Sequence, residues 1–587
     1  MNEKISLKYI FKLLLENKKP LIFGQIITIF AILISIPIPL LLPLLVDEVL
    51  LEKPAFIVNN LKDLGIESIL YYIVIVTFVV LFLRFVHLLL GVITTKIFTK
   101  ISKYVTFNIR KKLLNHLKIV NMNEYESLGS GSIAANLITD VNTLDNFIVS
   151  SSSKLVASTL TLLAVAIVII KIDLILGLMI LFIQPIIMIL SKKIVNKTGE
   201  LKKEENKTIE LFQNNINETL DLFGQIKASN KENFFFENSI KKAKDIQIAS
   251  NEFNYKSVAY ERFSFTIFLF AFEIFRGVGL IMVAYSDLSI GLMFAMFGYI
   301  WFIMTPIQDI LTIQYSLASA KAAIGRINSV LELSCEKDGD IKLDSKNGVD
   351  ISLKNLSFSY NKDKNNLSNI SFDIKAGEKI AIIGASGSGK TTISQLIAGF
   401  YEKSSGDILY NNISIDDIDK KSLRNSVFLV LQMPILFNNT LRFNLTMGED
   451  IDDNNIYKAL KIAQMDDVLK NMPNGLDTIV GKMGVRLSGG QRQRLSIARM
   501  ILANPSVVIF DESTSALDVQ TETNLFKELK EFLKDKTVIT IAHRLSSVKN
   551  ASKIYVLNDG ELVQSGSASK LEQEDGHYLD FVKNQLI

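Results

Sequence analysis

Residues 380–392 read IAIIGASGSGKTT. Four apolar residues suited to a buried strand run into a glycine-rich turn, which ends at Lys390 and two threonines. The spacing Gly384-x4-Gly389-Lys390-Thr391 wraps backbone N–H groups around an anion, and the helix N-terminus behind them favours its negative charge. Gly384, Ala385, Ser386, Gly387, Ser388 and Gly389 are therefore expected to close on phosphates. Lys390 is expected to reach the outer ones, and the Thr391 hydroxyl to take a place on Mg2+ with Thr392 beside it.

Downstream, residues 507–512 (VVIFDE) form a second apolar run, ending in two carboxylates. Asp511 fits the Mg2+ side, acting through a coordinated water, and Glu512 is placed to polarise an attacking water. Phosphoryl transfer needs in-line positioning and charge neutralisation more than covalent chemistry, so a metal and a water-positioning carboxylate suffice. A further strand, VITIAHR at 538–544, ends at His543. The carboxyl end of a strand in an open α/β sheet is where ligands bind; that the ligand there is a γ-phosphate is expected partly from the family resemblance given below. The runs ISLKNLSFSY, NISFDIK and KIYVLNDG alternate with helical ones. The pattern predicts an α/β P-loop nucleotide-binding domain with a mostly parallel central sheet over 349–587, preceded by a polar linker at 331–348.

The preceding 330 residues differ. The 587-residue chain is 49% hydrophobic with a mean hydropathy of +0.29, too apolar for an ordinary soluble protein. About six apolar stretches approach the ~20 residues a bilayer requires; they lie near 21–44, 69–92, 155–170, 174–190, 263–285 and 290–310. The third is long enough only if the serines at 150–153 are included. A run such as ILISIPIPLLLPLLV lacks the polar face of a soluble helix. This predicts an all-α transmembrane domain of six helices over 1–330. The N-terminal residues read as an amphipathic helix at the membrane surface, with Tyr9, Ile10, Leu13 and Leu14 on one face. The net charge of +4 gives no reason to propose nucleic acid as a partner. One cysteine, Cys335, excludes an internal disulfide and a Cys-based zinc site.

Lysine and arginine concentrate at the N-terminus, after the second span and after the fourth. The positive-inside rule places both termini, the two long loops and the C-terminal half in the cytoplasm. Each long loop runs roughly 50–70 residues, beyond the usual length. Both carry apolar residues at helical spacing, so the spans are expected to continue as helices about 30 Å into the cytoplasm and to turn near NMNEYESLGSG and IKASNKEN.

GASGSGKTT, RLSGGQRQR (486–494), FDESTSALD and AHR, in this order, resemble the ATP-binding cassette transporters. Six spans and two long loops ahead of the cassette are similar to the exporter half-transporters, a group that includes bacterial multidrug and lipid A exporters. The resemblance implies an ATP-driven exporter of a lipid, drug or peptide in a bacterial cytoplasmic membrane. It also implies two cassettes closing on two ATP molecules. Tyr360 then matches the aromatic that stacks on adenine, and Gln432 the glutamine that touches Mg2+ and the attacking water. Ser488, Gly489, Gly490 and Gln491 match the family signature, and Asp518 the loop that communicates across the cassette pair. NEYES and ASNKEN lie where relatives have coupling helices. Both half-sites look complete, so a homodimer suffices; a heterodimer and a flippase for one dedicated lipid are the alternatives.

Lys482 and Met483 depart from the family's usual Glu and Arg, and Leu431 stands where Pro or Ser is common. A soluble cassette ATPase would not need the spans, and an importer would split them onto another chain. A channel gated by ATP would lack substrate-stimulated ATPase activity. A peptide-processing exporter would need a protease domain, for which too few residues precede the first span. Within the spans, Glu273 and Arg276, and Arg84 and His87, lie three apart. They are candidates for holding a charged or amphipathic substrate, or for pairing with each other.

Overall fold

The computed structural model describes the chain except residues 1–3, 54–55, 67, 345–347, 361–364, 482–486, 543–547, 549–550 and 587, and the side chains of 180–181, 183–196, 261, 264, 311, 315 and 584–586. It divides into two compact units: Met1–Leu114 with Gly131–Glu332, and Asn115–Ser130 with Leu333–Ile587.

The first unit is helical. Ser6 opens helix α1 (Leu7–Glu16), its hydroxyl accepting the Tyr9 N–H at 3.1 Å. Ile10 and Leu13 are buried with Tyr9 and Leu14 half-buried beside them, as the amphipathic pattern predicts. Leu7, Phe11 and Leu15 form an exposed apolar stripe on the neighbouring face, the distribution of a helix lying in a bilayer interface. Helices α2 (Lys18–Ser35) and α3 (Ile38–Leu45) meet at Pro37, whose ring cannot donate to the preceding turn. The Tyr299 hydroxyl donates to the Ile36 carbonyl there at 2.6 Å, satisfying a backbone group that lipid could not.

Five helical segments are long and apolar enough to cross a membrane among the described residues: Lys18–Leu50, Ile69–Leu117, Ser130–Ile172, Glu232–Tyr285 and Ile290–Leu331. The other expected span, 174–190, begins a 48-residue helix, Leu174–Asp221. The serines at 150–153 lie inside the continuous Ser130–Ile172 segment, which makes the third span long enough. We label the main helices α4 (Ile69–Leu117), α5 (Met122–Leu128), α6 (Val156–Ile172), α7 (Leu174–Asp221), α8 (Phe223–Ala228), α9 (Glu232–Tyr285) and α10 (Ile290–Leu331). The 54 residues of α9 measure about 80 Å at 1.5 Å per residue, against a hydrocarbon core of about 30 Å. Helical extensions of the spans are therefore a property of the chain, as expected. Helix α5 covers NEYES. The second short helix, α8, lies earlier than ASNKEN, which begins at its last residue and makes the turn into α9. Asn230 takes φ of 52° in that turn, a left-handed conformation that ends a helix and that Asn tolerates.

The second unit is α/β. Six strands order as β12-β11-β3-β10-β9-β6, where β3 is Lys379–Gly384, β6 Val427–Val430, β9 Val507–Asp511, β10 Thr537–Ile541, β11 Lys553–Asn558 and β12 Glu561–Gly566. All pairings are parallel except β11 with β12. Strand β9 is buried along its whole length. Val507 and Ile509 face one core while Val508 and Phe510 face the other, the pattern of a strand covered on both sides. Two of the strand-like runs, ISLKNLSFSY and NISFDIK, do not join this sheet. They form β1 (Ile351–Phe358) and β2 (Leu367–Ile374) of a separate antiparallel sheet, β2-β1-β4-β5, with β4 (Ser405–Tyr410) and β5 (Ile413–Ser414). Asn411 and Asn412, at φ 49° and 64°, make the β4–β5 turn, which needs left-handed residues at both positions. A two-stranded ribbon, β7 (Asn439–Thr440) with β8 (Ile479–Val480), completes the strands.

Residues 115–130 pack with this second unit. Asn121 N–H donates to the Ser334 carbonyl at 2.9 Å and Glu336 N–H to the Ile119 carbonyl at 2.8 Å. Ser334 donates to Glu124 at 2.6 Å and the Tyr401 hydroxyl to Glu126 at 2.9 Å.

Candidate functional site

The topology brings three chain segments to one end of the six-stranded sheet. Strand β3 leads into the phosphate-type loop and then helix α11 (Lys390–Ile397), with Gly389 as the N-cap residue at φ 98°. A side chain on Gly389 would be strained there and would meet Leu367 at 2.5 Å. Two strands away, β9 delivers Asp511. Its Oδ1 accepts from the Thr391 hydroxyl at 3.3 Å. Strand β6 ends at Val430, two residues before Gln432, and Gln432 Nε2 donates to Glu512 Oε2 at 2.5 Å. Glu512 itself sits at φ 46°, a conformation costing roughly 1–2 kcal/mol for a residue with a side chain. Strain of this kind persists only where the surroundings fix it.

The electrostatics follow from burial. Lys390 is 5% exposed, and its Nζ donates to the carbonyls of Gly384 at 3.0 Å and Ala385 at 2.8 Å. Burial lowers its pKa, opposed by the charges of Glu512 and Asp511. Burial pushes Asp511 up to about 6; the Thr391 hydroxyl counters this and the Glu512 charge adds to it. Such a carboxylate gains from a cation beside it. The hydroxyl of Ser388 is buried without a protein partner, the kind of group a phosphate oxygen satisfies.

Among the described residues, no three His, Cys, Asp or Glu side chains cluster as a metal cage. Mg2+ does not require one, since it is held by one or two protein oxygens together with phosphates and waters. The buried Asp511 carboxylate beside the Thr391 hydroxyl fits that chemistry.

Tyr360 reaches α11: its hydroxyl lies 3.2 Å from the Thr392 hydroxyl and donates to Gln395 at 3.1 Å. Its ring packs edge-on against Phe358 and Tyr401. Replacing Tyr360 with alanine is expected to weaken ATP binding by roughly 1–3 kcal/mol, the range for base–aromatic stacking. A nucleotide titration checks this, and an unchanged affinity rules Tyr360 out as the adenine platform.

The Ser-Gly-Gly-Gln run starts helix α12 (Gly489–Ala503) with a capping box: Ser488 Oγ accepts the Gln491 N–H at 3.2 Å and Gln491 Oε1 the Ser488 N–H at 2.9 Å. The S-x-x-Q spacing is the sequence signal for this arrangement. Gly489 has ordinary room for a side chain, but at Gly490 a Cβ would lie 2.9 Å from the Ala516 carbonyl oxygen. The second glycine therefore permits close packing on the turn that follows Glu512. Asp518 caps helix α13 (Val519–Phe532), accepting the Thr521 N–H at 2.9 Å and hydroxyl at 2.6 Å. Those hydrogen bonds hold its carboxyl below the ordinary range.

His543, Lys482 and Met483 lie outside the described residues. Sequence reasoning misses Gln493. It is a polar residue on the same helical face as Ile497 and Met500, and it is 3% exposed.

Of the intramembrane candidates, Glu273 and Arg276 form an ion pair on α9 at 2.5 Å, each about half-exposed. His87 Nδ1 donates to the Ala31 carbonyl at 3.0 Å, and Arg84 is exposed.

Comparison with known proteins gives a consistent picture. The family model described as "ABC transporter" matches residues 367–515, and "ABC transporter transmembrane region" matches 21–307. The chain is 31% identical over 482 residues to YgaD of Bacillus subtilis (strain 168), whose name assigns it to multidrug export as an ATP-binding/permease protein; the match covers 81% of this chain and 82% of that one. It is 39% identical over 305 residues to an ATP-dependent lipid A-core flippase of Photobacterium profundum, covering 51% of this chain and about half of the flippase. A solved structure of a bacterial Atm1-family ABC exporter with ATP bound has the same fold, with a TM-score of 0.85 at 21% identity over 97% of this chain and 99% of that one.

Proposed function

Since the chain belongs to the ABC transporter family, we propose that its ATPase activity drives export of an amphipathic substrate, a lipid or a drug, from a homodimer. One observation carries the reading. A single chain holds both the Lys390–Asp511–Glu512–Gln432 constellation and helices able to cross a bilayer. It is a multi-pass membrane protein, and the lysine-rich loops favour a cytoplasmic cassette.

In this reading the 384–389 loop and Lys390 hold the phosphates, and Tyr360 holds the base. Thr391, Asp511 and Gln432 would hold Mg2+, which neutralises phosphate charge when bound. Glu512 orients the attacking water and takes its proton, with Gln432 fixing the carboxylate. His543 contacts the γ-phosphate. The capped N-terminus of α12 faces the nucleotide held by the partner copy, because a helix N-terminus with free N–H groups favours phosphate. Neither the loop nor the signature completes a site alone, and Asp518, at the start of α13, lies where the two copies communicate.

The test is ATPase activity of the reconstituted protein against a panel of lipids, peptides and cationic drugs. Stimulation by a lipid or a cationic amphiphile is expected; flat activity across the panel argues against export. An ion pair within a span avoids lipid and faces protein or a water-filled cavity. Glu273→Ala is therefore expected to shift the concentration of cationic amphiphile giving half-maximal stimulation by about fivefold, the ~1 kcal/mol of an exposed pair. An unmoved midpoint removes Glu273 from the substrate path.

A further inference from the structure

Gln493 sits on the second turn of α12, and its buried amide makes three hydrogen bonds. Nε2 donates to the Gln432 carbonyl at 3.0 Å and to Ser515 Oγ at 3.2 Å, while Oε1 accepts the Ala516 N–H at 3.1 Å. The first bond holds the backbone of the residue whose side chain holds Glu512. The other two hold the turn leaving Glu512, in which Ser515 N–H donates to the Glu512 carbonyl at 3.1 Å. Gly490 packs on the same turn. The strained Glu512 backbone is thus bracketed on both sides by contacts that end on α12.

A buried amide on an apolar helix face costs free energy unless its partners repay it. Here the partners are the two arms around Glu512. Ser488 and Gln493 are five residues apart on one helix, about 7.5 Å along its axis. A shift of the helix at its capped end therefore also moves Gln493, and hydrogen bonds weaken steeply with misalignment.

We propose that Gln493 is a positioning residue that relays engagement of the Ser488 end of α12 to the Glu512 carboxylate of the same chain, so that hydrolysis in one half-site depends on nucleotide in the other. This rests on the shared-site reading above.

The test uses the full-length reconstituted protein in a double-mutant cycle, Ser488→Ala with Gln493→Met, reading ATP turnover together with affinity for a fluorescent ATP analogue. Gln493→Met is expected to lower kcat at least about tenfold with affinity held within about twofold, as for loss of a contact made only in the transition state; Ser488→Ala, at the end that faces the partner's nucleotide, is expected to lower kcat likewise. The double variant is expected to be no slower than Gln493→Met alone, because the relay is already cut. A merely structural glutamine would give losses that multiply, and that result overturns the relay while leaving the shared site standing. If Ser488→Ala turns over ATP like the wild type, the shared-site reading and the relay fall together. Should Gln493→Met fail to fold, Gln493→Glu serves in the same cycle. It keeps the volume and the acceptor for Ala516 but sets an acceptor against the Gln432 carbonyl; additivity there overturns the relay as well.

Discussion

Replacing Glu512 with glutamine is expected to lower ATP turnover by about two to four orders of magnitude, the usual contribution of a positioned general base, while leaving ATP binding intact. The substitution is nearly isosteric, and an amide at this position can still bond to Gln432, which now touches the carboxylate at 2.5 Å. What is lost is the ability to take a proton from water. The 384–389 loop, Lys390 and Asp511 are untouched, so on the proposed reading the variant should bind ATP and stall with it enclosed. Phosphate release together with retention of labelled ATP measures both halves of the claim. Wild-type turnover would falsify the role given to Glu512.

Lys390→Ala is expected to fail one step earlier. The ammonium is buried, bonded to two loop carbonyls and flanked by the charges of Asp511 and Glu512. Removing it leaves those carboxylates facing incoming phosphates with no cation between. A hydrogen bond to a charged group is worth about 1.5–3 kcal/mol, so affinity should fall at least about tenfold and turnover should drop to background. The bulkier planar guanidinium of an arginine would not replace a compact ammonium in this turn. Titration with a fluorescent nucleotide separates this variant from Glu512→Gln: one loses binding, the other only chemistry. Equal affinity in wild type and Lys390→Ala would remove the loop from phosphate binding.

How much was legible depended on how local the signal was. The loop at 384–389 and the carboxylates at 511 and 512 are each written in one strand and its following turn, and the fold places them as that grammar requires. The spans were legible because lipid imposes a length on a contiguous run. The antiparallel sheet was not, since β1 must find β4 about fifty residues away. Its one local clue, Asn411–Asn412 between short strands, is a two-residue turn signal that joins β4 to β5 and says nothing of β1. Helix α8 lies earlier than expected because apolar periodicity continues through 223–228 and only Asn230 marks the turn. Gln493 carried a faint signal: a polar side chain at a core position of an amphipathic helix. Its partners on the Gln432 and Ala516 backbones could be known only from tertiary structure.

The packing of Asn115–Ser130 with Leu333–Ile587 bears on how such proteins recombine. The catalytic half is not an uninterrupted stretch of gene. Exchanging everything after residue 333 with a relative would separate Tyr401 from Glu126 and Ser334 from Glu124, contacts made at 2.9 and 2.6 Å. A working chimera has to carry both pieces across together. Substitutions in the 115–130 segment and in the cassette should therefore drift as a matched set, although about two hundred residues separate them in the chain.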